Sequence, residues 1–129
     1  MSEGHIARAR EDLRVHPITV ELSRSLDAEV DAGTEIVLKV KVSCAHGCDL
    51  REQVIDVVAP DGAVVGSGRL VEFSENVNET AEFAFMAPEE VGEYTWTVVF
   101  AKHDLEDVVH QEGVFAITVR TLAHDTSLA

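Results

Sequence analysis

Apolar residues recur at every second position in five separate runs of this chain, and that period constrains the fold more than any other feature. Ile18, Val20 and Leu22 alternate with Thr19, Glu21 and Ser23. Ile36, Leu38, Val40 and Val42 form a second run, and Ala81, Phe83 and Phe85 a third. Tyr94, Trp96, Val98 and Phe100 form the fourth, and Phe115, Ile117 and Val119 the last. Successive side chains of a strand point to opposite faces, so each run predicts a strand with one face in a core. The runs are rich in β-branched and aromatic residues, which suit a half-buried pleated surface. Turn chemistry separates them: Asp31-Ala32-Gly33, Pro60-Asp61-Gly62, and Pro88 to Gly92. No convincing amphipathic helix follows residue 15. The expectation is an all-β chain of about seven strands folded as an antiparallel two-sheet sandwich, because each half-apolar sheet needs a partner face.

At 129 residues the chain has room for one core. The first 15 residues are charged and predict a flexible lead or a short helix. Residues 16–122 hold the sandwich, and 123–129 form a tail. Met1 to Arg14 carries Glu3, Arg8, Arg10, Glu11 and Asp12 and no apolar h-region, so a signal peptide is not expected. No stretch approaches the ~18 apolar residues of a membrane helix, so membrane insertion is not expected. Ten Lys and Arg against 24 Asp and Glu leave a formal charge of −14. A field of that sign repels phosphate backbones and anionic lipid, which argues against nucleic-acid partners. Two cysteines, Cys44 and Cys48, are too few for a disulfide-built scaffold, so the core must be hydrophobic.

The segment Val91-Gly92-Glu93-Tyr94-Thr95-Trp96 resembles the corner leading into strand F of immunoglobulin-like and fibronectin-type sandwiches. That resemblance implies that the Tyr94 hydroxyl bonds back to the backbone; the one tryptophan, Trp96, departs from antibody domains by falling on strand F rather than C. The resemblance letters the strands A 17–23, B 35–43, C 53–59, C′ 63–71, E 80–87, F 93–102 and G 113–121. The stretch Val40 to Leu50, followed by Ala59-Pro60-Asp61-Gly62, is similar to the bacterial immunoglobulin-like units strung together in tandem, including the cell-adhesion-related (CARDB-type) domains. The tail His124-Asp125-Thr126-Ser127-Leu128 looks like the opening His16-Pro17-Ile18-Thr19-Val20, as the start of a following repeat would. What the resemblance implies is a modular, non-catalytic, extracytoplasmic spacer or binder whose partner is another protein or a neighbouring repeat. An exposed edge strand, A or C′, could also pair with a second copy.

The Cys44-x-x-x-Cys48 pair is the sharpest local feature. Three states are open to it: a loop-closing disulfide, two free thiols, or a metal or redox site. The first would place the protein outside the cytoplasm, and the second inside it. The copper loop of cytochrome oxidase subunit II shares the spacing but has a histidine four residues beyond its second cysteine, where this chain has Glu52. In the sandwich the B–C and F–G connections leave the same end. That brings Cys44, His46 and Cys48 near His103, Asp104, Glu106, Asp107 and His110, and thiolates with imidazoles suit zinc or copper. The competing expectation is a long solvated F–G hairpin whose side chains never converge. At the other end Asp27, Glu29, Asp31, Glu89 and Glu90 offer hard oxygen ligands for calcium. The Asp27-x-Glu29-x-Asp31 spacing then departs from a calcium loop at Ala32 and Leu38, and a solvated acidic rim explains it as well.

No nucleophile elbow, phosphate loop or dinucleotide fingerprint is present, so neither an enzyme nor a cofactor is expected. Ser67 sits in Gly66-Ser67-Gly68 without the strand–turn–helix setting. Asn78-Glu79-Thr80 is a glycosylation triplet. The chain therefore reads as an immunoglobulin-like module acting through its loops as a spacer or as a protein or ligand binder. The alternative is a metal-binding or thiol-redox protein built on the Cys44–Cys48 loop and nearby histidines.

Overall fold

The structure is a computed structural model that describes residues 15–105 and 108–123. The charged lead, Glu106, Asp107 and the repeat-like tail lie outside the described residues. Among the described residues there is no helix. The strands are β1 (Val15–His16), β2 (Ile18–Leu22), β3 (Glu29–Asp31), β4 (Glu35–Leu38), β5 (Val40–Cys44), β6 (Val54–Val58) and β7 (Val64–Ser74). They continue as β8 (Val77–Thr80), β9 (Phe83–Met86), β10 (Gly92–Phe100), β11 (His103–Leu105), β12 (Val108–His110) and β13 (Gly113–Leu122).

These elements make the all-β sandwich that the alternation predicts. One layer pairs β2 with β5 and β5 with β8, all antiparallel, and β4 with β9 continues it. The other layer runs β6, β10, β13, with β3 on its outer edge in parallel with β13. Strand β7 joins the two layers. Its first half pairs with β6 and its second half with β8, and the register shifts between Leu70 and Glu72 where it turns.

The core fills the space between the layers with Val20, Ile36, Leu38, Val40, Val42, Ile55, Val57, Leu70, Phe85, Trp96, Val98, Phe100, Ile117 and Val119. Each large side chain buried there contributes roughly 1.5–3 kcal/mol of transfer free energy. Trp96 is 2% exposed and meets Phe85 edge-on, with ring centroids 5.0 Å apart. The Tyr94 hydroxyl donates to the Glu90 carbonyl at 3.2 Å. Gly68 is required by a close approach: a Cβ there would fall inside van der Waals contact of the Phe83 ring.

More strands are present than the alternation predicts, for local reasons. Strand B is two elements because Val40 N–H donates to the Thr80 hydroxyl at 3.0 Å instead of to a backbone carbonyl, which breaks the ladder at Lys39. Strand E begins earlier than residue 80. Glu75 and Asn76 both have positive φ, 52° and 67°, as a two-residue hairpin turn needs, so β7 runs on to Ser74 and β8 starts at Val77. The F–G connection is not a simple hairpin: β11 and β12 pair with each other, and β12 pairs in parallel with β1.

Candidate metal centre

That small three-stranded sheet, β1-β12-β11, sets the site. His16 lies opposite His110 in the parallel pair, and His110 lies opposite His103 in the antiparallel pair. Directly paired residues point to the same face of a sheet, so three imidazoles stand in a row. The His16 and His110 rings are 5.3 Å apart at 74°, and the His110 and His103 rings are 6.0 Å apart and stacked. Pro17 follows His16 and has no N–H to give a ladder. There the chain leaves β12 and takes up pairing with β5 at Ile18. The Gln111 N–H donates to the His16 carbonyl at 3.0 Å and the Ala45 N–H to the Pro17 carbonyl at 3.1 Å. These bonds tie β1 to the F–G connection on one side and to the cysteine loop on the other.

The cysteines come from the end of β5 and the turn after it. Gly47 at φ 73° allows the turn, and its N–H donates to the Cys44 carbonyl at 2.9 Å. Asn78, fully buried on β8, holds the far side of this loop. Its amide oxygen accepts from the Leu50 N–H at 2.7 Å, and its NH2 group donates to the Cys48 carbonyl at 3.0 Å and the Val42 carbonyl at 3.4 Å. Burial and full bonding make Asn78 a structural residue and leave its glycosylation triplet no accessible amide.

Both sulfurs face one imidazole nitrogen. His16 Nδ1 is 3.4 Å from Cys44 Sγ and 3.3 Å from Cys48 Sγ. The loop-closing disulfide is not formed: both cysteines are free thiols, each turned toward His16 rather than bonded to the other. One donor atom from each of His16, Cys44, Cys48 and His110 lies within 4.8 Å of every other. With metal–sulfur and metal–nitrogen bonds of about 2.3 and 2.0–2.1 Å, a tetrahedral zinc site has ligand–ligand edges of about 3.3–3.8 Å. The two His16–sulfur edges are already in that range, and a contraction of about 1 Å closes the longest edges.

The electrostatics favour the neutral forms of His16, His110 and Cys48. Burial, reinforced by the charge of neighbouring His46, holds the His16 pKa below its usual value. Burial does the same to His110, with smaller contributions from His16 and His103. Burial and the neighbouring Cys44 thiol push Cys48 up to about 11. His110 is 2% exposed, and among the described residues neither of its ring nitrogens has a hydrogen-bond partner.

Of the residues that the sequence singled out, Cys44, Cys48 and His110 are in the four-donor set. His46 and His103 stand just outside it, each stacked on one of its histidines. His16 was not anticipated. As the last residue of a two-residue strand before a proline it carried no ligand spacing, and its partner on β12 is 94 residues away by number (110 − 16). Its one sequence signal is being a further histidine at a strand end on the side of the cysteine loop. Among the described residues the carboxylates of the opposite end form no group of three metal-ligating side chains. Glu29 faces Arg120 at 3.6 Å, the Glu89 carboxylate lies against Gly33, and the Glu90 carbonyl accepts from Tyr94 and Thr121. Ser67 donates to Asp56 at 2.7 Å, an exposed pair on β7 and β6.

No protein-family model matches the chain, and no curated protein does. Among solved structures it is similar to the CARDB domain of a Pyrococcus furiosus protein, crystallised in complex with di-metal ions. That match has 11% identity over 84% of this chain and 94% of that one, with a TM-score of 0.49. It is also similar to a conjugative transposon lipoprotein from Bacteroides eggerthii, with 11% identity over 80% of this chain and 96% of that one and a TM-score of 0.44. In architecture, then, this immunoglobulin-like sandwich is similar to a CARDB domain, and the likeness is one of fold.

Proposed function

We propose that the chain is a non-catalytic immunoglobulin-like module that binds one zinc ion at an end of its sandwich through His16, Cys44, Cys48 and His110. The observation that carries this reading is His110. Among the described residues neither ring nitrogen of this buried imidazole has a partner, which is costly, and it stands beside two thiols and a second imidazole. A metal ion would give one of those nitrogens a partner and gather the two thiols and the second imidazole on the same centre. Two sulfurs and two nitrogens in a tetrahedral arrangement suit zinc. Four protein donors leave no open position for a reacting water, so the site holds an ion rather than performing chemistry with it.

Recognition through loops on a rigid sandwich thus takes the form of ion binding by the B–C loop, the F–G connection and the first strand. The ion joins three segments far apart in sequence, so binding it also stabilises the folded state. Thiols must lose their protons to ligate, so zinc uptake releases protons into the medium. The test is zinc titration of metal-free protein followed by native mass spectrometry. One zinc per chain is expected, and C44S and H110A should each abolish stoichiometric uptake. A wild-type protein that takes up none overturns the proposal.

A further inference from the structure

A further imidazole flanks the four-donor set on the side of the cysteine loop. His46 lies between the two cysteines on their own loop, is exposed, and stacks on His16 with ring centroids 4.0 Å apart and planes at 25°. Its backbone N–H donates to Cys44 Sγ at 3.4 Å, so the residue is fixed to the loop while its ring stays in solvent. The other flank differs. There His110 is buried, His103 is stacked against it, and the Nδ1 of His103 is buried too. Among the described residues the cluster is therefore more covered toward His110 and His103 and more exposed toward the cysteine loop, where Cys48 is only half-buried.

An ion held by four donors is slow to leave when a bond must break before another can form. A donor at the opening changes that, because it can occupy the position that one thiolate vacates and keep the ion four-coordinate. Tethering beside the site gives His46 a high effective concentration for this step. We propose that His46 is an exchange ligand: it passes zinc between the buried set and an incoming chelating acceptor with imidazole-like or thiol donors. The module then loads and unloads its ion instead of keeping it as a permanent staple. Zinc enters and leaves as Zn2+, no electron moves, and the two thiolates take up two protons as it departs. This inference rests on the zinc reading above.

The experiment mixes zinc-loaded full-length protein with excess 4-(2-pyridylazo)resorcinol in a stopped-flow instrument, for wild type and H46A, and measures zinc affinity separately by competition. Removal of the tethered donor should slow transfer about tenfold or more while affinity stays within about threefold. Added imidazole should restore the rate, which a merely structural role for His46 would not allow. An H46A rate equal to or faster than wild type overturns the exchange role alone. So does a parallel loss of rate and affinity, which would make His46 a permanent ligand. Wild-type protein that takes up no zinc overturns both readings, so the two failures are distinguishable.

Discussion

Replacing Asn78 by alanine removes a side chain that ties the cysteine loop to the core. The amide is fully buried and makes three bonds, to the Leu50 N–H, the Cys48 carbonyl and the Val42 carbonyl. The last is long at 3.4 Å and counts for little. The other two leave a donor and an acceptor with no replacement partner, and each orphaned group costs about 1–3 kcal/mol. The expected loss is therefore about 3–4 kcal/mol, near the middle of that doubled range. In a domain of this size that lowers the melting temperature by roughly 10–15 °C.

Urea unfolding in the presence of a metal chelator isolates this effect from zinc linkage. N78D is the informative companion. It keeps the acceptor for Leu50 N–H but turns a carboxylate toward two carbonyls, so it should be at least as unstable as N78A. Zinc affinity provides a second readout, because Asn78 fixes the Cys48 backbone as an outer-shell partner does, and its loss should weaken binding about 10–100-fold. An N78A midpoint displaced by less than about 1 kcal/mol, the scale of a single exposed hydrogen bond, refutes the reasoning.

Further outcomes follow from the core, the loop and the titrating groups. W96A should lose about 3–5 kcal/mol in denaturant titration, since its ring is enclosed against Phe85. G47A must adopt a left-handed φ and press on the Asn76 amide, so it should lower stability by about 1–3 kcal/mol and weaken zinc binding, both read on the same samples. The metal-free protein should lose stability at both ends of the pH scale, measured as the urea midpoint. His16 and His110 have lowered pKa values in the folded state. Their contribution is present above the unfolded value near 6.5 and is lost as pH falls below it. Cys48 is raised to about 11, so its contribution is present below the unfolded thiol value and is lost as pH rises toward 11. A flat midpoint between pH 7.5 and 5 would contradict the histidine part. Zinc at 100 times its dissociation constant should add about 2.7 kcal/mol, seen as a concentration-dependent melting temperature.

The two layers were legible because burial on one face of a strand writes a period of two into the chain, and the alternating runs fall on strands of the sandwich apart from Ala81, which lies between β8 and β9. What that period cannot express is where a ladder changes partner. Lys39 looks like any outward residue, yet strand B breaks there because the Thr80 hydroxyl replaces a backbone acceptor. Cys44 and Cys48 announced a site by their spacing, and the common end of the B–C and F–G connections brought His110 into consideration. His16 could not be found in this way. Its place depends on a two-residue parallel pairing between Val15–His16 and Val109–His110, too short to leave any periodic trace.

The same shortness bears on how the site is held. Two paired residues and a few backbone bonds are a weak tether for β1, and among the described residues the small sheet it joins contributes none of the large apolar side chains of the core. The groups it does carry into the interior are histidines, and among the described residues His110 is buried there with neither ring nitrogen partnered, which is unfavourable. Hydrophobic burial thus stabilises the sandwich but not this corner of it. Ligation by His16 and His110 on one side and by Cys44 and Cys48 on the other would supply the missing cohesion. The corner and the ion should therefore stabilise each other, and amide protection across Val15–His16 and Val108–His110 should rise on zinc addition while that of β6 and β10 changes little.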